Sequence, residues 1–300
     1  QFLAHGSDSN LYFQWRKSRG SSEKFHGAVV DHDNDEHNRV FQDVAKVGAS
    51  LEKIKEIKGK NIDAKVAILY DWDNNWALND AQGFGLKSKR YPETLQEHYR
   101  YFWDHDISVD VITPDQDLSK YQLVIAPMLY LMTKQTMEKL NAYTKKGGTL
   151  VSTYLTGYVN ETDLAYLNGW PQELKDLFGI AVKETDTLYP KQKNKLSFAG
   201  KNYDVHDYCS IVENQAAEVL ATYQDDFYAQ SPSVTKHAFG TGEAYYIGAR
   251  TKGDFLGAFY GSLIDSLDLA NPWVEKSDPS ISVQQRGENH YFVMNFSEES

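Results

Sequence analysis

Between Ala64 and about Asp268, short continuous apolar runs alternate with stretches of helical periodicity, and this constrains the fold more than any other feature. The first run, Lys65-Val-Ala-Ile-Leu-Tyr-Asp71, shows no polar alternation in its interior. A strand that is apolar on both faces must be covered on both, the mark of a parallel sheet between helical layers. A helix is expected from Pro92, with Leu95, Tyr99, Phe102 and Trp103 on one side and proline in the favoured first turn. Strands are predicted at Ile107–Ile112, Leu123–Pro127 and Thr149–Tyr154, with a helix over Thr133–Lys146 closed by Gly147-Gly148. The alternation gives an α/β class with a doubly wound, mostly parallel sheet. About nine residues separate the second and third strands, which is short for a parallel crossover. One helical turn is expected there, at Asp117-Leu-Ser-Lys-Tyr121. Further along come a helix at Pro171–Phe178, a strand-rich insertion from Ala181 to His237, and a last sheet strand at Glu243–Gly248. Phe255, Leu256, Phe259, Leu263 and Leu267 then mark a closing helix.

The flanks read differently. Residues 10–16, Asn-Leu-Tyr-Phe-Gln-Trp-Arg, look like a short buried strand, followed by a polar loop from Lys17 to Asn34. A helix is expected from about Asn38 to Lys58, with an apolar stripe of Val40, Val44, Val47, Leu51 and Ile54 and a stop at Gly59. A single strand cannot form a sheet, so this strand–loop–helix unit is expected to belong to a larger body. After a break at Asn271-Pro272, Ile281–Gln285 and His290–Phe296 flank Arg286-Gly-Glu-Asn289, a hairpin signal. Two strands are marginal alone, so the hairpin reads as the start of a further domain. The chain opens Gln1-Phe2-Leu3-Ala4 without an initiator Met, as a piece of a longer or processed protein would.

Composition narrows the partners. A net charge of −11 with scattered basic residues argues against a polyanionic partner such as nucleic acid. No stretch approaches the roughly 20 apolar residues of a membrane helix. A lone cysteine, Cys209, forbids an internal disulfide and fits a reducing, cytoplasmic setting. Twenty Tyr, fourteen Phe and six Trp serve either packing and interfaces or carbohydrate stacking, and composition alone favours packing.

Candidate chemistry is sparse. Asp31-His-Asp-Asn-Asp-Glu-His37 has Glu36 and Gln42 where a calcium loop needs Gly and Glu, so a solvated helix start is the better reading. Asp71 and Asp73 follow the first strand, on the edge where open sheets take ligands, and turn chemistry accounts for them equally well. Cys209 lacks a nucleophile elbow and reads as a packed thiol. Gly83-Phe-Gly85 and Gly240-Thr-Gly242 are not dinucleotide fingerprints, so no cofactor and no metal site is expected. The first loop is richer. Trp15, Arg16, Arg19, Glu23 and His26 follow one strand within a dozen residues, where a βα barrel would place substrate contacts. By spacing alone, a salt-bridged loop explains them as well.

Phe13-Gln-Trp-Arg-Lys-Ser-Arg-Gly-Ser-Ser-Glu-Lys-Phe-His-Gly27 resembles the last barrel strand and loop of glycoside hydrolase family 42 β-galactosidases, and Asn38-Arg-Val-Phe41 continues the match. Val124-Ile-Ala-Pro-Met128, Gly147-Gly-Thr-Leu-Val151 and Thr156-Gly-Tyr-Val-Asn-Glu161 resemble that family's trimerisation domain, whose fold is flavodoxin-like, close to class I glutamine amidotransferases. The resemblance implies residues 1–59 as the end of a catalytic barrel, 60–271 as the trimerisation domain and 272–300 as the start of a C-terminal β domain. It implies retaining hydrolysis of terminal β-D-galactosides by two carboxylates about 5 Å apart, both on earlier barrel strands and absent here. No catalytic residue is therefore assigned. Glu23 and His26 match galactose contacts, and Trp15 is a packing or ring-stacking candidate. The implied partners are further copies of the chain, as a homotrimer, and the galactoside of the complete enzyme. The rivals are a stand-alone carbohydrate-binding or interaction module, and a true amidotransferase, which the missing elbow disfavours.

Overall fold

The structure, a computed structural model, describes residues 1–85, 89–270 and 280–298. Two compact units divide the chain: Gln1–Asp63 with Asp278–Ser300, and Ala64–Ser277.

In the first unit, residues 10–16 are not the expected buried strand. Leu11 is 95% exposed and Phe13 75%, and the segment's pairing is a single bridge from Arg16 to Val30. A strand needs neighbours along its edges, and residues 14–17 find them on one side, along 27–30, where Gln14 also bonds Gly27 and Val29. Helix α1 (Arg39–Lys53) starts where expected, with Asn38 accepting from the Val40 N–H, yet buries none of its residues. Val40 and Val47 of its stripe stay exposed. Past the helix, Gly59 takes φ +73°.

The second unit begins with β1 (Val66–Leu69), α2 (Trp72–Asp80), α3 (Tyr91–Asp104), β2 (Val109–Ile112), β3 (Leu123–Ala126), α4 (Lys134–Lys145) and β4 (Thr149–Thr153). Next come α5 (Lys175–Phe178), β5 (Ile180–Thr187), β6 (Asn194–Phe198), β7 (Lys201–Asn214), β8 (Glu218–Tyr223) and β9 (Pro232–Phe239). The unit closes with β10 (Gly242–Ile247), β11 (Ala249–Arg250) and α6 (Gly253–Ser266). Among the described residues these strands form one mixed sheet, in which β2-β1-β3-β4-β10 run parallel. The insertion strands continue it in antiparallel fashion from β9. Strand pleat explains the continuous apolar runs: Val66 and Ile68 join the core under α3 and α6, while Ala67 and Leu69 join the core under α4 and α5. The short β2–β3 connection passes β1 with a turn closed by the Tyr121 N–H donating to the Leu118 carbonyl, both side chains buried.

Helix α2, which carries Trp72 and Trp76, lies where the sequence pattern shows no helical stripe. Asp71 is its N-cap, accepting from the Asp73 and Asn74 N–H groups, so the two aspartates serve helix initiation. Three Asn and Asp residues in its first half hide it from propensity. Asn74, fully buried, binds the Met128 carbonyl and the Leu131 N–H and ties the helix to the loop after β3. Tyr158 and Trp170 cover each other: their rings stack at 4.3 Å and 3°.

The hairpin β12 (Ile281–Arg286) and β13 (His290–Asn295) pairs as expected, though the preceding break at Asn271-Pro272 lies outside the described residues. Arg286, 1% exposed, holds the hairpin in the first unit by donating to the carbonyls of Leu3, Ser7 and Lys60 and pairing with Asp8. Gly287 is required beside it: φ is +64° and a Cβ would lie 2.8 Å from the Lys60 side chain.

Candidate functional site

The loop that carries Glu23 and His26 is a closed excursion. Its stem is formed by the Val30 N–H donating to the Trp15 carbonyl at 2.7 Å and the Lys17 N–H to the Val30 carbonyl at 3.0 Å. Lys17 and Asp31 pair across the stem at 2.7 Å, and that ammonium hydrogen bond holds the Asp31 carboxyl below its usual range. Arg16 reaches Asn34, and a His32 ring nitrogen meets the Ser18 carbonyl at 2.8 Å. Charged side chains thus fasten the base, and the tip projects from it.

At the tip, the His26 N–H donates to the Glu23 carbonyl at 3.0 Å, and both residues are exposed. Neither side chain has a hydrogen bond or ion pair with another described residue. Trp15, 63% exposed, meets Phe41 of α1 edge-on at 6.2 Å. The structure therefore brings a free carboxylate, a free imidazole and an open aromatic face onto one loop and its stem. That is hydrogen-bonding and stacking equipment. Among the described residues no three His, Cys, Asp or Glu side chains gather as a metal site.

Cys209 lies buried in β7, where burial raises its thiol to about 12. The thiolate is the reactive form, so a thiol-exchange reagent at pH 8 is expected to leave the native chain unmodified and to titrate one thiol after denaturation. Fast native labelling would place Cys209 in an open environment.

Sequence reading passed over the polar centre of the second unit. Arg250, 5% exposed, donates to the Tyr154 hydroxyl (2.8 Å), the Lys89 carbonyl (2.6 Å) and the Thr94 hydroxyl (2.7 Å), and pairs with Asp207 at 3.1 Å. The rings of Tyr154 and Tyr208 face its guanidinium at 5.5 and 5.0 Å. An Arg closing a buried apolar strand was the available signal.

The second unit is a mixed α/β domain, and comparisons with known proteins place the chain in one class, the glycoside hydrolases. Residues 64–270 match the family described as beta-galactosidase trimerisation domain, and residues 1–54 match the beta-galactosidase family itself. The chain belongs to glycoside hydrolase family 42. It is 55% identical to beta-galactosidase GalA of Bacillus licheniformis over 99% of this chain and 45% of that protein. To beta-galactosidase GanA of Bacillus subtilis it is 54% identical, over 100% of this chain and 45% of that protein. Among solved structures, a catalytic mutant of Gan42B, a GH42 beta-galactosidase from G. stearothermophilus, superposes with a TM-score of 0.93 at 54% identity. That match covers 99% of this chain and 44% of Gan42B. The chain thus spans under half the length of these relatives. No helix among the described residues is long and apolar enough to cross a membrane.

Proposed function

We propose that this chain is the part of a retaining β-galactosidase that follows the catalytic carboxylates, and that it serves assembly while lending substrate contacts. The observation that carries the reading is the apolar surface of the first unit. Leu11, Phe13 and Trp15 are mostly exposed beside a helix that buries nothing, as expected of elements that complete a larger βα barrel. Residues 1–59 would end that barrel, 60–271 form the assembly domain and 272–300 begin a β domain. The parallel order β2-β1-β3-β4-β10 supports a flavodoxin-like domain, close to class I glutamine amidotransferases. Its only thiol is buried, which suits a scaffold and a cytoplasmic setting. Glu23 and His26 would bind galactose hydroxyls with Trp15 at the ring, and the domain would join three copies. Neither nucleic acid nor membrane enters this reading.

The test is direct. The purified 300-residue chain is expected to show no turnover of a chromogenic β-galactoside, and a longer chain carrying the preceding barrel is expected to hydrolyse it. Activity that stays with the short chain through purification would overturn the assignment.

A further inference from the structure

Glu23 and His26 are the corners of one turn, with Lys24 and Phe25 at its centre, closed by the 3.0 Å bond from the His26 N–H to the Glu23 carbonyl. One hydrogen bond closes a turn without fixing how it tilts on its stem. Residues 21–27 are all exposed, so packing beneath the turn does little to set that tilt.

His32 reaches both arms of the excursion. Its Nε2 lies 2.8 Å from the carbonyl of Ser18, on the outgoing arm. A carbonyl only accepts, so Nε2 carries the hydrogen of this bond. On the returning arm, the Phe25 ring meets the same imidazole at 6.5 Å and 72°, the edge-to-face arrangement that aromatic pairs prefer. The Lys24 ammonium, 5.7 Å from the centroid, covers the Phe25 ring. His32 is itself placed by the stem: its N–H donates to Asp31 Oδ1 at 2.6 Å, and Asp31 pairs with Lys17. A line of contacts therefore runs from the Lys17–Asp31 pair through His32 to Phe25, the residue directly before His26 and two after Glu23.

We infer that His32 is a positioning residue for galactose binding: it sets the tilt of the Glu23–His26 turn and touches no sugar itself. The inference rests on the reading of Glu23 and His26 as galactose contacts. Side chains that must be ordered by the ligand bind it less well than side chains already placed, and a small misplacement at a reacting sugar is expensive in rate. Closing the stem alone would not call for the ring contact, because the Lys17–Asp31 pair and the two backbone bonds between 15–17 and Val30 already do so.

Steady-state kinetics on the complete β-galactosidase, with a chromogenic β-galactoside, tests this. His32→Ala is expected to lower kcat/KM by roughly three- to tenfold, the scale of one neutral hydrogen bond, with an unchanged melting temperature because His32 is exposed. His32→Gln, whose amide can still donate to the Ser18 carbonyl, is expected to stay within about twofold of the parent. In a Glu23→Ala/His26→Ala background, His32→Ala is expected to cost less than about twofold, since nothing is left to position. His32→Ala within twofold of the parent overturns the inference, and a large loss in Glu23→Ala beside it keeps the galactose-contact reading. Equal losses from His32→Ala in both backgrounds, a glutamine variant as poor as alanine, or a lowered melting temperature would make His32 a merely structural residue and also overturn it. Glu23→Ala and His26→Ala both within twofold of the parent overturn the contact reading and this inference together.

Discussion

Arg250→Met is expected to lower the melting temperature of the chain by roughly 6–12 °C. The figure follows from what the side chain holds. Its guanidinium binds the Lys89 carbonyl and the Thr94 hydroxyl at the start of α3, the Tyr154 hydroxyl after β4, and Asp207 on β7. One side chain thus joins the parallel half of the sheet to the insertion. Methionine matches the stem but leaves these acceptors unanswered, and removing one partner of a buried charged network costs about 3–5 kcal/mol. Arg90 also pairs with Asp207, so that carboxylate keeps one cation and the lower end of the range applies. Each kcal/mol shifts the midpoint by about 2–4 °C for a domain of this size, so about 3 kcal/mol gives roughly 6–12 °C. Arg250→Lys keeps the charge and loses the planar fork, so it is expected to recover less than half of the loss. Calorimetry reads both variants. A drop under 2 °C for the methionine variant would mean that water replaces the guanidinium at little cost.

This network also marks the limit of what the sequence discloses. Strands β1, β3 and β4 and helices α3, α4 and α6 were legible, because a strand covered on both faces and a helix with one apolar face each write a period into the chain. Helix α2 was not, because its inward position is taken by Asn74, whose bonds to Met128 and Leu131 are long-range and leave no periodic trace. The strand at 10–16 failed for the opposite reason. Its residues have strand character, but pairing is a property of neighbours, and the short stretch 27–30 supplies it for residues 14–17. The hairpin was legible as a hairpin, while its attachment was not: Arg286 reads as a turn residue until Leu3, Ser7 and Lys60 surround it. Among the candidate contacts, spacing singled out a loop and could not separate a salt-bridged loop from a binding one. The structure divides the two roles between residues. Lys17 and Asp31 fasten the stem, and Glu23 and His26 remain uncommitted.

That division makes the loop's role testable. Glu23→Ala, placed in the complete β-galactosidase, is expected to cut kcat/KM by roughly ten- to a hundredfold, because a hydrogen bond to a charged group contributes about 1.5–3 kcal/mol. The carboxylate is exposed and bonds no other described side chain, so its removal takes nothing from the fold, and the melting temperature is expected to stay unchanged. A residue that serves only its loop would show the reverse pattern. Lys17→Ala supplies that contrast: it breaks the stem pair with Asp31, and its loss of activity should come with a measurable loss of loop order, seen as faster proteolysis within 17–34. Glu23→Gln keeps the shape and the hydrogen-bonding reach without the charge. If Glu23 accepts from a sugar hydroxyl, the amide is expected to retain part of the activity that alanine loses. A change in kcat/KM within twofold for Glu23→Ala, with folding intact, would remove Glu23 from the galactose site and leave the loop a structural element.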